Sequence, residues 1–146
     1  MAEHEISIVI FYNKDKVVLR QGKIHSAPST YDFWGDRLKT GETPLQAIKR
    51  ILELELNYRP GNLKYWTDYE FTLKTPGPRE GDHYLMHLFV SPITPNLLFS
   101  QIKEDVKLVV FSLKELLSHP ELDYVARDIL HLFKRQYNAK NSPQIG

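Results

Sequence analysis

The chain has 146 residues, 42% of them hydrophobic and 25% charged, a balance that fits a folded globular protein and excludes a mainly disordered one. Lys and Arg number 19 against 18 Asp and Glu, and a net charge of +1 excludes general nucleic-acid or membrane-surface binding through bulk charge. With no cysteine, disulfides, thiolate metal sites and cysteine nucleophiles are excluded too.

The length predicts one domain over 1–146, with a core over about 5–137 and a polar tail over 138–146. No segment approaches the roughly 18 consecutive apolar residues of a membrane span. The opening Met-Ala-Glu-His-Glu lacks the basic and apolar stretches of a signal peptide, so a cytoplasmic protein is expected.

In chain order, 6–12 and 16–20 are β-branched and aromatic runs around the turn Asn13-Lys14-Asp15, which predicts a hairpin. Residues 21–30 are polar and irregular. Residues 31–34 read as a short aromatic strand stopping at Gly35. A helix follows over 44–56, with Thr43 as N-cap, Pro44 in the first position and Gln46 completing a capping box. Residues 64–74 alternate, with Tyr65, Thr67, Tyr69, Phe71 and Leu73 on one face and Trp66 as the exception. Residues 75–82 form a Pro/Gly loop, 84–90 a central strand and 106–111 another buried strand. One or two helical turns over 112–117 precede a longer helix over 121–137. The order β-β-β-α-β-β-β-α predicts an α/β or α+β sandwich with helices packed on a sheet.

On a helical wheel the 44–56 segment has a wide apolar arc that includes Leu45, Ile48, Ile51, Leu52, Leu54 and Leu56. Glu55 falls inside that arc, at about 20° from Pro44. An ionised carboxylate buried there without a partner would cost several kcal/mol. Glu55 is therefore either in a structural ion pair or hydrogen bond, or a carboxylate of a functional site.

Residues 35–58 run Gly-Asp-Arg-Leu-Lys-Thr-Gly-Glu-Thr-Pro-Leu-Gln-Ala-Ile-Lys-Arg-Ile-Leu-Glu-Leu-Glu-Leu-Asn-Tyr. This resembles the Nudix box of the MutT-like hydrolases, G-x5-E-x7-R-E-U-x-E-E-x-G-U, where U is a bulky aliphatic residue. The strands before the segment and Val-Val-Phe-Ser-Leu-Lys-Glu-Leu-Leu at 109–117 extend the resemblance to about 5–135. It implies an α/β/α sandwich with a mixed sheet between helices, and metal-dependent hydrolysis of a nucleoside diphosphate linked to another group.

The box is degraded. Glu42, Arg50, Leu52 and Glu55 match their positions. Asp36 replaces the first glycine of the box, Ile51 and Leu54 replace two of three clustered glutamates, and Asn57 replaces the last glycine. Glu53 is no substitute, since it points about 160° away from Glu55. Family members hold Mg²⁺ or Mn²⁺ with this cluster, and such hard cations want several oxygen ligands. The resemblance implies Glu55 and Glu42 as catalytic residues and metal ligands, with Glu104, or its neighbour Asp105, as a further ligand or as plain surface. The resemblance implies a Mg²⁺ or Mn²⁺ cofactor if the protein is active, with no cofactor as the alternative.

Arg37 and Lys39 in the box loop are candidates to contact phosphate directly, against the reading of solvated loop charges. Arg50 lies off the site face, so pairing with Glu42 or Glu55 and plain solvation both stand. Arg20 ends the second strand, where family members often touch substrate. Tyr84, Tyr31 and Trp34 are candidates to stack on a base or to fill the core. His83 and His87 share a strand face about 13 Å apart, too far for one metal. No Ser/His/Asp motif, P-loop or G-x-G-x-x-G is present. The expected ligand is a small nucleotide, with a homodimer possible. Three readings follow: a divergent hydrolase of weak or altered activity, a non-catalytic nucleotide-binding module, or an interaction domain with Ile51 and Leu54 in a covered patch.

Overall fold

The computed structural model describes residues 2–22, 31–98, 100 and 106–138. The strands are β1 (Glu3–Asn13), β2 (Lys16–Gly22), β3 (Tyr31–Asp32), β4 (Trp34–Arg37), β5 (Lys64–Thr72), β6 (His83–Pro92) and β7 (Val106–Ser112). The helices are α1 (Pro44–Leu56), α2 (Pro95–Leu98), α3 (Leu113–Leu117) and α4 (Tyr124–Leu132), the last continuing into a π-helical segment, Phe133–Asn138. Among the described residues no helix is long and apolar enough to cross a membrane.

Seven strands form one mixed sheet among these residues. β1 lies parallel to β6, and the other pairings are antiparallel. β1 is apolar on nearly every inner position because both of its faces are covered. Ile8 and Ile10 join β6, α3 and α4 in one core, while Val9 and Phe11 join Ile48, Leu52 and Leu56 of α1 and Leu97 of α2 in the other. The sheet is thus sandwiched between helices, as the sequence predicts.

The β1–β2 hairpin pairs only near its turn, from Phe11↔Val18 to Asn13↔Lys16. Beyond that the strands splay and a short segment fills the wedge. β3 pairs with β2 at Arg20 and Gln21, and β4 pairs with β1 over Ile6–Val9. The segment expected to stop at Gly35 therefore breaks one turn of the pleat earlier, at Phe33, where it changes partner, and then runs through Gly35 to Arg37. Gly35 is required there: a Cβ would lie 2.3 Å from the Ser7 carbonyl oxygen.

The alternation expected across 64–74 also shifts. Tyr65 pairs with Phe89 but Thr67 pairs with Leu88, so Trp66 is the extra residue of a β-bulge. The bulge turns Trp66 into the core against Phe133 and Tyr137 and leaves Tyr65 exposed on the opposite face from Tyr69 and Phe71. Helix α4 begins at Tyr124 rather than 121 because the Asp123 carboxylate accepts from the N–H groups of Val125 and Ala126 and caps it there. The sequence reading has no counterpart to α2, a single turn capped by the Thr94 hydroxyl.

Candidate functional site

Helix α1 starts and stops as its sequence dictates. The Thr43 hydroxyl accepts from Gln46 N–H, and the Gln46 side chain accepts from Thr43 N–H. The Ser7 hydroxyl donates to the Pro44 carbonyl at 2.8 Å and ties the helix to β1. At its end Asn57 adopts a left-handed conformation with φ 49° and ψ 44°. The wide apolar arc is only partly buried. Ile48, Ile51, Leu52 and Leu56 are inside, but Leu45 and Leu54 are exposed. Those two lie at opposite margins of the arc, about 180° apart, which one packing surface does not reach at both sides. Ile51 and Leu54 therefore do not share a patch: Ile51 is 2% exposed and Leu54 63%. Glu53 is on the solvent side, paired with Arg59.

Arg50 finds its partner in Glu42. Its Nε donates to Glu42 Oε2 at 2.7 Å and its Nη2 to Oε1 at 2.9 Å. Lys39 N–H donates to the same Oε1, and Arg50 Nη2 also donates to the Arg37 carbonyl. Arg50 thus fastens the loop before α1. These bonds, first from Arg50 and then from Lys39 N–H, hold the Glu42 pKa down at about 2.

The splayed hairpin brings Arg20, Asp32 and Glu55 together. Arg20 Nε donates to Asp32 Oδ1 at 3.2 Å, and Nη1 lies 3.5 Å from Glu55 Oε2. Burial works against the charge of Arg20, but Asp32 and Glu55 outweigh it and its pKa is raised. Burial also raises the Asp32 carboxyl above its ordinary range, with Arg20 pulling the other way. Glu55 is thus a part-buried carboxylate with a cation against it.

Beside this trio opens a cavity of about 340 Å³ between the sheet and α4. Its floor is apolar, from Ile6, Ile8, Phe71 and Met86, and Val125, Ala126 and Ile129 form the roof. Its mouth carries Arg20, Arg37 and Arg79 with Asp32, Asp36 and Asp123. Of the expected substrate residues, Arg20, Arg37 and Tyr84 line this cavity, whereas Lys39 is not among the lining residues. Tyr84 has no face free for a base. It is stacked on Phe71 of β5 at 4.9 Å and on His4 of β1 at 4.5 Å, on either side of β6, so it borders the space by its edge. Trp34 is fully buried in the α1-side core, and Tyr31 packs edge-on to Phe111 and His119. His87 sits between Asp68 and Glu5, and His83 beside Glu70, away from the cavity. Glu104 and Asp105 lie outside the described residues. Arg79 had no local signal in the sequence. It reaches the mouth because the β5–β6 loop is closed by Leu73 N–H to the Asp82 carbonyl and Gly81 N–H to the Leu73 carbonyl.

A family model described as NUDIX domain matches residues 3–133. The chain belongs to the Nudix family. Its fold is similar to the solution structure of the E. coli ORF135 protein, with TM-score 0.70, 21% identity, 98% of this chain and 96% of that one covered. It is also similar to a MutT structure from work on Aliivibrio salmonicida and Vibrio cholerae, with TM-score 0.69, 12% identity, and 92% and 99% covered. No curated protein matches the sequence.

Nudix proteins generally use divalent metals, but the described residues of this one do not fit such an ion. Of the three glutamate positions on α1, one is the buried Ile51 and one the solvent-facing Leu54. Glu55 faces a guanidinium, and Glu42 is occupied by Arg50 and Lys39 N–H. Among the described residues no group of three His, Asp or Glu side chains is placed to hold a metal. The glycine positions of the box are legible in the same geometry. Gly35 fills the crowded place against Ser7, which frees Asp36 to carry a side chain, and Asn57 takes the left-handed turn that a glycine would take.

Proposed function

We propose that this Nudix protein binds a nucleoside diphosphate-linked ligand in the cavity between the sheet and α4, with weak or absent hydrolysis. The observation that carries the reading is the cavity itself. An apolar interior suits a base or sugar, and three arginines at the mouth suit phosphate oxygens. Arg20 connects this mouth to Glu55 on the Nudix helix. The loss of two carboxylates from that helix leaves too few oxygen ligands to hold a metal that would polarise phosphorus while a carboxylate also takes a proton from water, which argues against efficient turnover. The family's hydrolytic chemistry stays the alternative, with Glu55 as its one remaining clustered carboxylate.

The test is phosphate-product release from nucleoside diphosphate sugars, dinucleoside polyphosphates, ADP-ribose and nucleoside triphosphates, with Mg²⁺ and with Mn²⁺, beside Glu55→Gln. Little or no turnover, together with a ligand-induced rise in Tm for at least one compound, is the expected result. Fast turnover abolished by Glu55→Gln would overturn the weak-hydrolysis reading. No turnover and no thermal shift from any compound would overturn the ligand reading.

A further inference from the structure

The charges at the cavity mouth are not equivalent. Asp32 is taken up by Arg20, and Asp123 is taken up as the cap of α4. Asp36 accepts from Arg37 N–H and lies in the field of Arg20 and Arg50. Arg20 is itself shared between two carboxylates. Among the described residues, the guanidinium groups of Arg37 and Arg79 are the mouth charges left with no ion pair or hydrogen bond. Both line the cavity, on β4 and on the β5–β6 loop.

A divalent ion in a diphosphate site cancels ligand charge and is itself held by an excess of carboxylates. Here that arrangement is inverted. Where the Nudix helix presents its carboxylate, a guanidinium already stands 3.5 Å from it, and a dication placed beside Arg20 would be repelled. On α1 the carboxylate cluster has gone with Ile51 and Leu54, and the mouth's three Asp are balanced by its three Arg. Two exposed guanidinium groups with no protein partner among the described residues, each with a donor fork that matches a phosphate's oxygens, are available instead.

We propose that the cavity holds a diphosphate without a divalent cation: Arg37 and Arg79 take the phosphate oxygens, and Arg20 is a built-in counter-charge to Glu55. This rests on the reading that the cavity takes a nucleoside diphosphate-linked ligand. No bond is made or broken in it; the step is binding alone.

The experiment is calorimetric titration of the full chain with ADP, GDP, CDP and UDP, once in EDTA and once in excess Mg²⁺. At least one nucleotide binds with affinity that agrees within about twofold between the two buffers, and weakens as salt is raised. The double variant Arg37→Met with Arg79→Met loses roughly tenfold or more of that affinity in EDTA while its Tm without ligand stays that of the parent. Binding that needs Mg²⁺ would overturn the cation-free proposal and leave nucleotide binding standing. No binding in either buffer would overturn both. If the double variant fails to fold, the comparison of EDTA with Mg²⁺ on the parent chain still decides. Mn²⁺ electron resonance on the ligand-free protein gives an independent check: a bound-ion signal abolished by Glu55→Gln would contradict the inverted charge arrangement.

Discussion

Arg50 grips Glu42 with two nitrogens on two oxygens, Nε to Oε2 at 2.7 Å and Nη2 to Oε1 at 2.9 Å, and through it fixes the loop that leads into the Nudix helix. The ion pair prefers the ionised carboxyl, so the folded-state pKa of Glu42 falls from 4.5 to about 2. A depressed acid pKa stabilises the fold fully above the unfolded-state value and loses that contribution as pH drops through the folded-state value. The stability of the parent chain is therefore expected to decline between pH 4.5 and about pH 2 partly through this group. Glu42→Gln removes that part of the slope. Urea unfolding midpoints across the window, for parent and variant, check it.

The two lost glutamate positions are expected to answer differently to restoration. Leu54→Glu puts a carboxylate in solvent and changes stability by no more than about 0.5 kcal/mol. Ile51→Glu buries one and costs about 3 kcal/mol or more. Denaturant unfolding of the two single variants measures both. Equal costs would mean that the opposite environments of the two side chains have been misread.

Most of the layers were legible in the sequence. The capping box fixed α1, β-branched and aromatic runs placed β1 and β2, a continuous apolar run placed β6, and helical spacing placed α4 apart from its first turn, while the box motif singled out Glu42, Arg50 and Glu55 but left the partner of Arg50 open. What stayed hidden depends on distant partners. A bulge at Trp66 reverses the faces of β5, and no local pattern announces one. Arg79 and Asp32 meet at one cavity through a loop closure and a splayed hairpin. The isolation of Leu54 from Ile51 follows from how far a sheet surface reaches around a helix, which a wheel does not show.

Asn57 tests the meaning of a box position. Its φ of 49° is a conformation that costs most L-residues about 1–2 kcal/mol and glycine nothing. Asn57→Gly is expected to keep or slightly raise Tm. Asn57→Val is expected to lower stability by about 1–2 kcal/mol. If valine is tolerated as well as glycine, backbone conformation is not what the position selects.

Gly35→Ala probes the wedge between β1 and β2. Its new Cβ meets backbone, the Ser7 carbonyl, which cannot swing aside as a flexible side chain would. A loss of about 1–3 kcal/mol is expected from such overpacking. Urea melts with an unchanged m-value would show it as a stability effect. Because Asp36 and Arg37 follow on the same strand, any nucleotide binding should weaken along with it.

The parallel pairing of β1 with β6 also has a consequence for synthesis. Glu3 aligns with His83 and Tyr12 with Pro92, so β1 waits during synthesis for a neighbour made about 80 residues later. Until then the hairpin and α1 can form, but the apolar edge of β1 remains open and the cavity floor lacks Met86. Such long-range closure is slow to form, and an uncovered edge of this kind invites pairing with other chains. A nascent chain halted before β6 is thus expected to be sticky and without a finished cavity, and both properties change together when that strand arrives.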